Sequence, residues 1–471
     1  MFFLCAVILT DAASVAQETE LRAIQVDPAY PVTPLEGPFA LRITGLRAGV
    51  EYELELSSRL DDRRPWRSRA TFIADADGTI DLTGANAGRA ERLLWTMRAE
   101  RERRGDLPDE PLEARLASGA LRFLLAVREE GLDLARHEFV RVFRPPGVRV
   151  ARHAEPDRPS AVYAPACAQP LPTALVLNMG GGFSSEIFAS LIAQRGVMVG
   201  VYTYAPEAGR RDALGAGLRS VPLEGVERAL RWLREQPGAD ATIPPLLLGR
   251  SRGAELALLV AATFPHVGPV IAYHPSSVAN GPLATGTRPN EPGWTLRGAA
   301  VPFLSQDNRA DDDIAMAGQT APYRLEPRQS ARLANAAAFL RARIPVERIG
   351  GDVLLVSGGL DTIWPAAVMS SQIVLARELA GRGLRTESLF YAGAGHAITA
   401  PNLPLGSMTY RYPENGPWYA FGGYVTSTGA ASVEAWRAVS DFVDRWIEPL
   451  PSLGTVDPPV KLTCRLVPIG R

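Results

Sequence analysis

The apolar side chains of this 471-residue chain change period near residue 150, and a chain that does so must build two unlike layers of structure, most simply as two domains of unequal size. From residue 23 to about 150 the alternation is two-fold. In Glu51-Tyr52-Glu53-Leu54-Glu55-Leu56 every other side chain can face a core, as in a half-buried strand. Phe39-Ala40-Leu41-Arg42-Ile43 repeats the pattern, and Asp77-Gly78 separates the runs 70–74 and 79–82 as a tight turn does. Short strands at close spacing predict a β-sandwich over 17–150, interrupted by a charged, proline-bearing excursion at 98–115. After a Pro- and Ala-rich connection at 144–172, continuous apolar runs alternate with segments of helical period. That is the signature of a buried, mostly parallel sheet in an α/β domain over 151–471. Strands are expected at 173–179, 197–204, 245–248, 269–273, 353–357 and 386–391. Between them Leu223, Val226, Leu230 and Leu233 fall on one face of a helix that starts near Pro222 and stops before Pro237-Gly238.

A formal net charge of −1 with no long single-sign run argues against a nucleic-acid or membrane-surface binder and leaves a small-molecule substrate. The opening MFFLCAVILTDAASVAQ has a short apolar run and small residues up to Ala16, so 1–16 reads as an export signal and the mature chain as periplasmic or secreted. It lacks a basic n-region, and a mis-set start or a leader that is not a signal, leaving a cytoplasmic protein, is the alternative. Cleavage would leave Cys167 and Cys464, which either pair or stand as two free thiols. No Cys/His cluster calls for a metal, and no cofactor motif is present.

Chemistry is carried by Gly249-Arg250-Ser251-Arg252-Gly253, a GxSxG that follows the apolar strand LLL and precedes the helix-like AELALLVAATF. In that context the serine sits on a strained strand-to-helix elbow, and glycines two residues away relieve crowding. The expected fold is therefore an α/β-hydrolase. Ser251 needs a base, and there are five histidines. His137 lies in the β-rich half, His153 in the connection, His266 just past the helix after Ser251, and His274 at the end of the next strand. His396, in Ala392-Gly393-Ala394-Gly395-His396 after the strand SLFY, fits the Ser, Asp, His order of this fold. The acid should end a strand at the carboxyl edge of the sheet. Asp361 does so after DVLLVSGGL; Asp352 stands at the opposite end of that strand, and Asp311, Asp312 and Asp313 sit in a polar loop. For the oxyanion, the backbone of Gly181 and Gly182 after the first strand of the domain, with the N–H of Arg252, are the expected donors.

These segments together resemble the acyl-CoA thioesterase and bile acid-CoA:amino acid N-acyltransferase family, in its bacterial form. The resemblance covers nearly the whole chain: WRSRATFIADADGTIDL and LLWTM in the first half, SRGAELAL, IPVERIGGDVLLVSGGLDTIWP and YAGAGHAI in the second. It implies an N-terminal immunoglobulin-like β-sandwich ahead of an α/β-hydrolase domain, with the family's Ser/Asp/His or Cys/His/Asp site on Ser251, Asp361 and His396. In that family serine goes with thioester hydrolysis and cysteine with conjugation to amino acids, so Ser251 points to hydrolysis. Leu360 departs from relatives that carry a second acid there, which leaves Asp361 as the sole acid. The insertion 275–344 could form a cap over the site with Trp294, Phe303 and Tyr323 in its wall, and the aromatics 410–424 could line an acyl pocket, although for any single one of them ordinary packing of a long loop is the weightier reading. Carboxylester hydrolysis, transfer to an amine, and an inert exported binding protein remain as alternatives to acyl-CoA thioester hydrolysis.

Overall fold

The computed structural model describes residues 24–27, 32–59, 65–99, 117–167, 170–179, 184–205, 218–282, 291–305, 319–406, 408–411 and 418–448. The leader read at 1–16, most of the excursion at 98–115, Gly181, Gly182, Cys464 and Asp311, Asp312 and Asp313 lie outside them. No described helix is long and apolar enough to cross a membrane.

The first half forms two sheets. The larger has the order Val32–Pro34, Leu132–Val142, Ala120–Glu129, Glu51–Ser58, Trp66–Ile73, Arg98–Ala99; the smaller joins Gln25–Asp27, Arg42–Thr44 and Ile80–Asp81. Ile43 and Ile80 from the small sheet share a core with Leu54, Phe72 and Phe139 from the large one. Along Glu51–Ser58 the alternation holds at Tyr52, Leu54 and Leu56, but Glu55 is buried as well. Its carboxylate meets Arg69 Nε at 2.6 Å and Arg128 Nη1 at 2.7 Å, which satisfies a charge that burial would otherwise make costly. The Asp77-Gly78 turn is not a hairpin. Asp75 Oδ1 accepts from the N–H groups of Asp77 and Thr79, Gly78 takes φ +69°, and the chain passes from the large sheet to the small one.

The second half is built on eight strands: β1 (Val148–Arg152), β2 (Ala161–Pro165), β3 (Thr173–Asn178), β4 (Met198–Thr203), β5 (Leu246–Arg250), β6 (Val270–Tyr273), β7 (Val353–Gly358) and β8 (Thr386–Tyr391). Their order is β1-β2-β4-β3-β5-β6-β7-β8, and β2 alone runs antiparallel to its neighbours. β1 and β2 fall inside the stretch expected to be a connection, because two five-residue strands among prolines leave little periodic signal, and the boundary expected at 150 lies within β1.

Helices cover both faces. α1 (Ser184–Ala193) and α5 (Val425–Ile447) pack on one; α2 (Leu223–Arg234), α3 (Arg252–Thr263) and α4 (Ala366–Leu379) pack on the other. The α2 face predicted from Leu223, Val226, Leu230 and Leu233 is fully buried, each side chain contributing about 2 kcal/mol of transfer free energy. The α1/α5 layer has no core of its own. A continuous apolar cluster runs from Leu54 and Phe72 through Leu93 to Phe188, Trp436 and Val439, so the N-terminal sheets and the hydrolase half share one interior.

Candidate active site

Ser251 stands between β5 and α3 with φ +53° and ψ −119°, a conformation L-residues rarely adopt. Its N–H donates to the Tyr273 carbonyl of β6 at 2.8 Å, which ties the turn to the next strand. Gly249 shows why the motif needs glycine: a Cβ there would overlap the backbone carbonyl of Gly253, and a Cβ on Gly253 already lies 3.1 Å from the Leu177 carbonyl. Both obstacles are backbone. Gly249→Ala is therefore expected to cost about 3 kcal/mol or more, read as a lower urea midpoint together with loss of activity. An unchanged midpoint would contradict this account of the elbow.

Asp361 and His396 come to Ser251 from the carboxyl ends of β7 and β8. His396 Nδ1 lies 2.6 Å from Asp361 Oδ2 and its Nε2 lies 2.9 Å from Ser251 Oγ. An ionised carboxylate only accepts, so Nδ1 carries the proton and Nε2 offers its lone pair to the serine hydroxyl. Asp361 Oδ1 accepts from the N–H groups of Ile363 (2.8 Å) and Trp364 (3.2 Å). Burial alone would raise the Asp361 carboxyl, but the neighbouring His396 and the ring N–H groups around it outweigh burial and hold it well below the ordinary carboxylate range. The His396 loop has no slack. Its N–H donates to Phe421 O at 2.8 Å, Gly395 N–H donates to Thr428 Oγ1 at 3.2 Å, and Gly395 meets Gly422 backbone to backbone with no space for a side chain.

Of the expected oxyanion donors, Gly181 and Gly182 lie outside the described residues. Arg252 opens α3, so its N–H has no acceptor within the helix. Its side chain is turned inward. Arg252 Nη1 meets Glu255 Oε2 at 2.6 Å, and the buried Glu255 carboxylate also accepts from Asn280 N (2.7 Å), Asn280 Nδ2 (3.0 Å) and Trp294 Nε1 (2.5 Å). This cluster anchors the first part of the insertion beneath α3. Trp294 is completely buried there, the ordinary packing that is the weightier reading of any single aromatic in the insertion, while Phe303 packs at the margin of the same core. Tyr323 bridges Tyr419, and the strand Trp418–Ala420 leads to Phe421, whose ring lies 5.8 Å from His396. Asp352 sits far from the site, bonded to the N–H of Arg385.

Sequence reasoning set His274 aside as the end of a strand, yet it belongs to the site. Its ring is fully buried, 4.4 Å centroid to centroid from the His396 ring, with Nδ1 3.4 Å from Asp361 Oδ2. Trp364 stands edge-on to His396 at 5.6 Å and donates through Nε1 to the His274 carbonyl at 3.2 Å. The N-terminal half reaches the site too. Asn402, six residues past His396, donates to the carbonyls of Leu35 (2.8 Å) and Gly37 (3.0 Å), and the fully buried Arg141 holds the same turn through Leu35 O and Gly37 O. Trp436 Nε1 donates to Glu36 at 2.8 Å. The N-terminal sheets thus buttress the loop that carries His396.

Burial, and then His396, push His274 from an ordinary 6.5 down to about 4. An unfolded chain takes up this proton first, so the native state has its full stability above pH 6.5 and loses it as pH falls toward 4. The expected loss is up to about 3 kcal/mol by pH 4. Urea midpoints measured across that window for the wild type and for His274→Phe check this, the slope being shallower in the variant.

Strand order, elbow and the Ser–His–Asp array define an α/β-hydrolase. Two family models match: "Acyl-CoA thioester hydrolase/BAAT N-terminal region" over residues 36–154, and "BAAT / Acyl-CoA thioester hydrolase C terminal" over residues 221–449. The chain belongs to this acyl-CoA thioester hydrolase and bile acid-CoA:amino acid N-acyltransferase family. It is 27% identical over 425 residues to mitochondrial acyl-coenzyme A thioesterase 2 of Mus musculus, covering 86% of this chain and 85% of that one. Identity to acyl-coenzyme A thioesterase 1 of Homo sapiens is 26%, covering 86% and 92%. Bile acid-CoA:amino acid N-acyltransferase of Mus musculus is 24% identical, covering 89% and 97%. Among solved structures, an acylaminoacyl peptidase of Pyrococcus horikoshii is similar with TM-score 0.39 and 11% identity, covering 83% of this chain and 56% of that one. A dienelactone hydrolase-like phosphotriesterase from metagenomic libraries is similar with TM-score 0.37 and 13% identity, covering 64% and 99%.

Proposed function

We propose that this chain hydrolyses acyl thioesters of the acyl-CoA type through an acyl-serine intermediate on Ser251. The observation that carries the reading is the unbroken chain of contacts, 2.9 Å from Ser251 Oγ to His396 Nε2 and 2.6 Å from His396 Nδ1 to Asp361, with the tautomer fixed by the carboxylate. Ser251 Oγ attacks the thioester carbonyl while His396 Nε2 takes the hydroxyl proton. The resulting oxyanion is held by the N–H of Arg252 and a donor from the Gly181-Gly182 segment. Collapse breaks the C–S bond, and His396 returns its proton to the departing thiolate. Water then attacks the acyl-serine, His396 takes its proton and passes it to Ser251 Oγ, and the free acid leaves. No cofactor takes part in these steps.

Membership of a family that includes N-acyltransferases leaves the acceptor to be decided, and the serine nucleophile favours water. Acyl-CoA assayed with a thiol reagent, with and without glycine or taurine, tests this. The reading expects thiol release with free acid as product. Diversion of product to the amide would make it a transferase, and release from aryl esters alone an esterase.

One observation favours the esterase reading. Cys167 is disulfide-bonded, which fits the oxidising compartment to which the segment 1–16 would send the chain and where acyl-CoA is scarce. Intact mass of the mature protein decides the compartment: cleavage after Ala16 places it outside the cytoplasm. Labelling by a fluorophosphonate that disappears in Ser251→Ala would exclude an inert binding protein.

A further inference from the structure

We propose that His274 is a positioning residue for the reaction, a neutral imidazole with its proton on Nδ1 that backs Asp361 and His396 and fixes the catalytic ring against Ser251. The inference rests on Ser251 being the nucleophile and deepens that reading.

His274 directly follows β6 with φ +49°, a backbone conformation uncommon outside glycine that points its side chain into the site. Its ring is fully buried and lies against the face of the His396 ring. Nδ1 faces Asp361 Oδ2 at 3.4 Å, the oxygen that already accepts from His396 at 2.6 Å. Nε2 faces the Ile398 carbonyl at 3.3 Å, two residues past the base. One imidazole thus touches the acid, the base and the loop that carries the base.

Both neighbours are acceptors, and a neutral ring has one proton to give. Nε2 meets the Ile398 carbonyl with hydrogen-bond geometry and Nδ1 does not reach Asp361 so well, but the charge of the carboxylate gives it the stronger claim on the proton. A second proton would satisfy Ile398 as well, but it is opposed by burial, by His396, which becomes a cation during turnover, and by the buried Arg250 at the end of β5. Asp361, His396 and Arg250 are the charged or titratable groups around the ring, and Trp364 closes the remaining side with its N–H on the His274 carbonyl. A ring so enclosed limits rotation of His396. It also takes a share of the Asp361 charge that would otherwise fall wholly on His396.

The full-length chain tests this with two variants and two readouts. His274→Phe keeps a ring and loses both nitrogens; His274→Asn places an amide N–H near Nδ1 and tolerates positive φ. A fluorophosphonate reads activation of Ser251 whatever the natural acyl substrate, and acyl-CoA hydrolysis reads kcat and KM. Labelling rate and kcat are expected to fall roughly ten- to a hundred-fold in His274→Phe with KM changed less than about three-fold, as for a small misplacement of a catalytic group. The acid limb of kcat/KM should move to higher pH, because Asp361 then faces His396 alone. His274→Asn should recover most of the rate. Labelling of a folded His274→Phe at the wild-type rate with an unmoved acid limb overturns the inference, and so does a loss that His274→Asn does not restore. Should His274→Phe fail to fold, the histidine ring 15N spectrum of the wild type decides: the proton on Nε2, with a bare Nδ1 toward Asp361, overturns it. A wild type that takes no label sinks the serine-nucleophile reading and this inference together. A wild type that takes label but leaves acyl-CoA intact sinks only the choice of substrate.

Discussion

Ser251→Ala is expected to lower kcat for acyl-CoA hydrolysis by about a million-fold, to the level left by binding and the oxyanion donors alone. The side chain is small and partly exposed, and the fold does not depend on it. The backbone N–H of residue 251 would still donate to Tyr273 O, and Gly249 and Gly253 would still close the turn. The strain at φ +53° stays, because alanine keeps the Cβ that causes it. The combination to look for is an unchanged melting temperature with activity at the detection limit. Residual turnover within a hundred-fold of wild type would mean that another group attacks the substrate.

Asp361→Asn should cost about 10⁴-fold in kcat while leaving KM within a few-fold. The variant removes one charge and keeps the shape, so the loss reports electrostatics and tautomer. As a carboxylate, Asp361 accepts from His396 Nδ1 and from the N–H groups of Ile363 and Trp364. An amide turned to keep its oxygen toward those backbone donors presents NH₂ to His396. The base must then accept at Nδ1 and carry its proton on Nε2, where it faces the Ser251 hydroxyl and cannot take its proton. Stability should fall too, because the buried Asp361 has its charge matched by surrounding donors. Urea midpoints at pH 7 would show the loss, and it should shrink toward the acid range where the native carboxylate is itself protonated.

What the sequence disclosed and what it hid follow from the range of the interactions. The elbow was legible because its requirements are local: a strand, two glycines whose Cβ atoms would strike backbone, and a helix. His396 and Asp361 followed from chain order and from the rule that sites sit at the carboxyl edge of such a sheet, and the structure brings both to Ser251. His274 stayed hidden because a search for one base stops when one is found, and nothing in Tyr273-His274-Pro275 tells that the ring turns toward a loop 122 residues further on, at His396. Trp294 could not be settled along the chain, because an aromatic in a long insertion suits a pocket wall as well as a core, and only its bond to Glu255 decides between them. β1 and β2 were too short to show a period. The contact of the first half with the loop after His396 runs through Asn402, Leu35 and Gly37, residues more than three hundred positions apart, and no pattern along the chain could announce it.

The central claim is covalent chemistry at a single hydroxyl. Wild-type protein mixed with acyl-CoA, quenched in acid within the first turnover and digested should yield the peptide containing Ser251 heavier by the acyl group less one hydrogen, and the same peptide from Ser251→Ala should carry none. Hydrolysis proceeding at full rate with Ser251 never acylated, or with the acyl group recovered on another side chain, would contradict it.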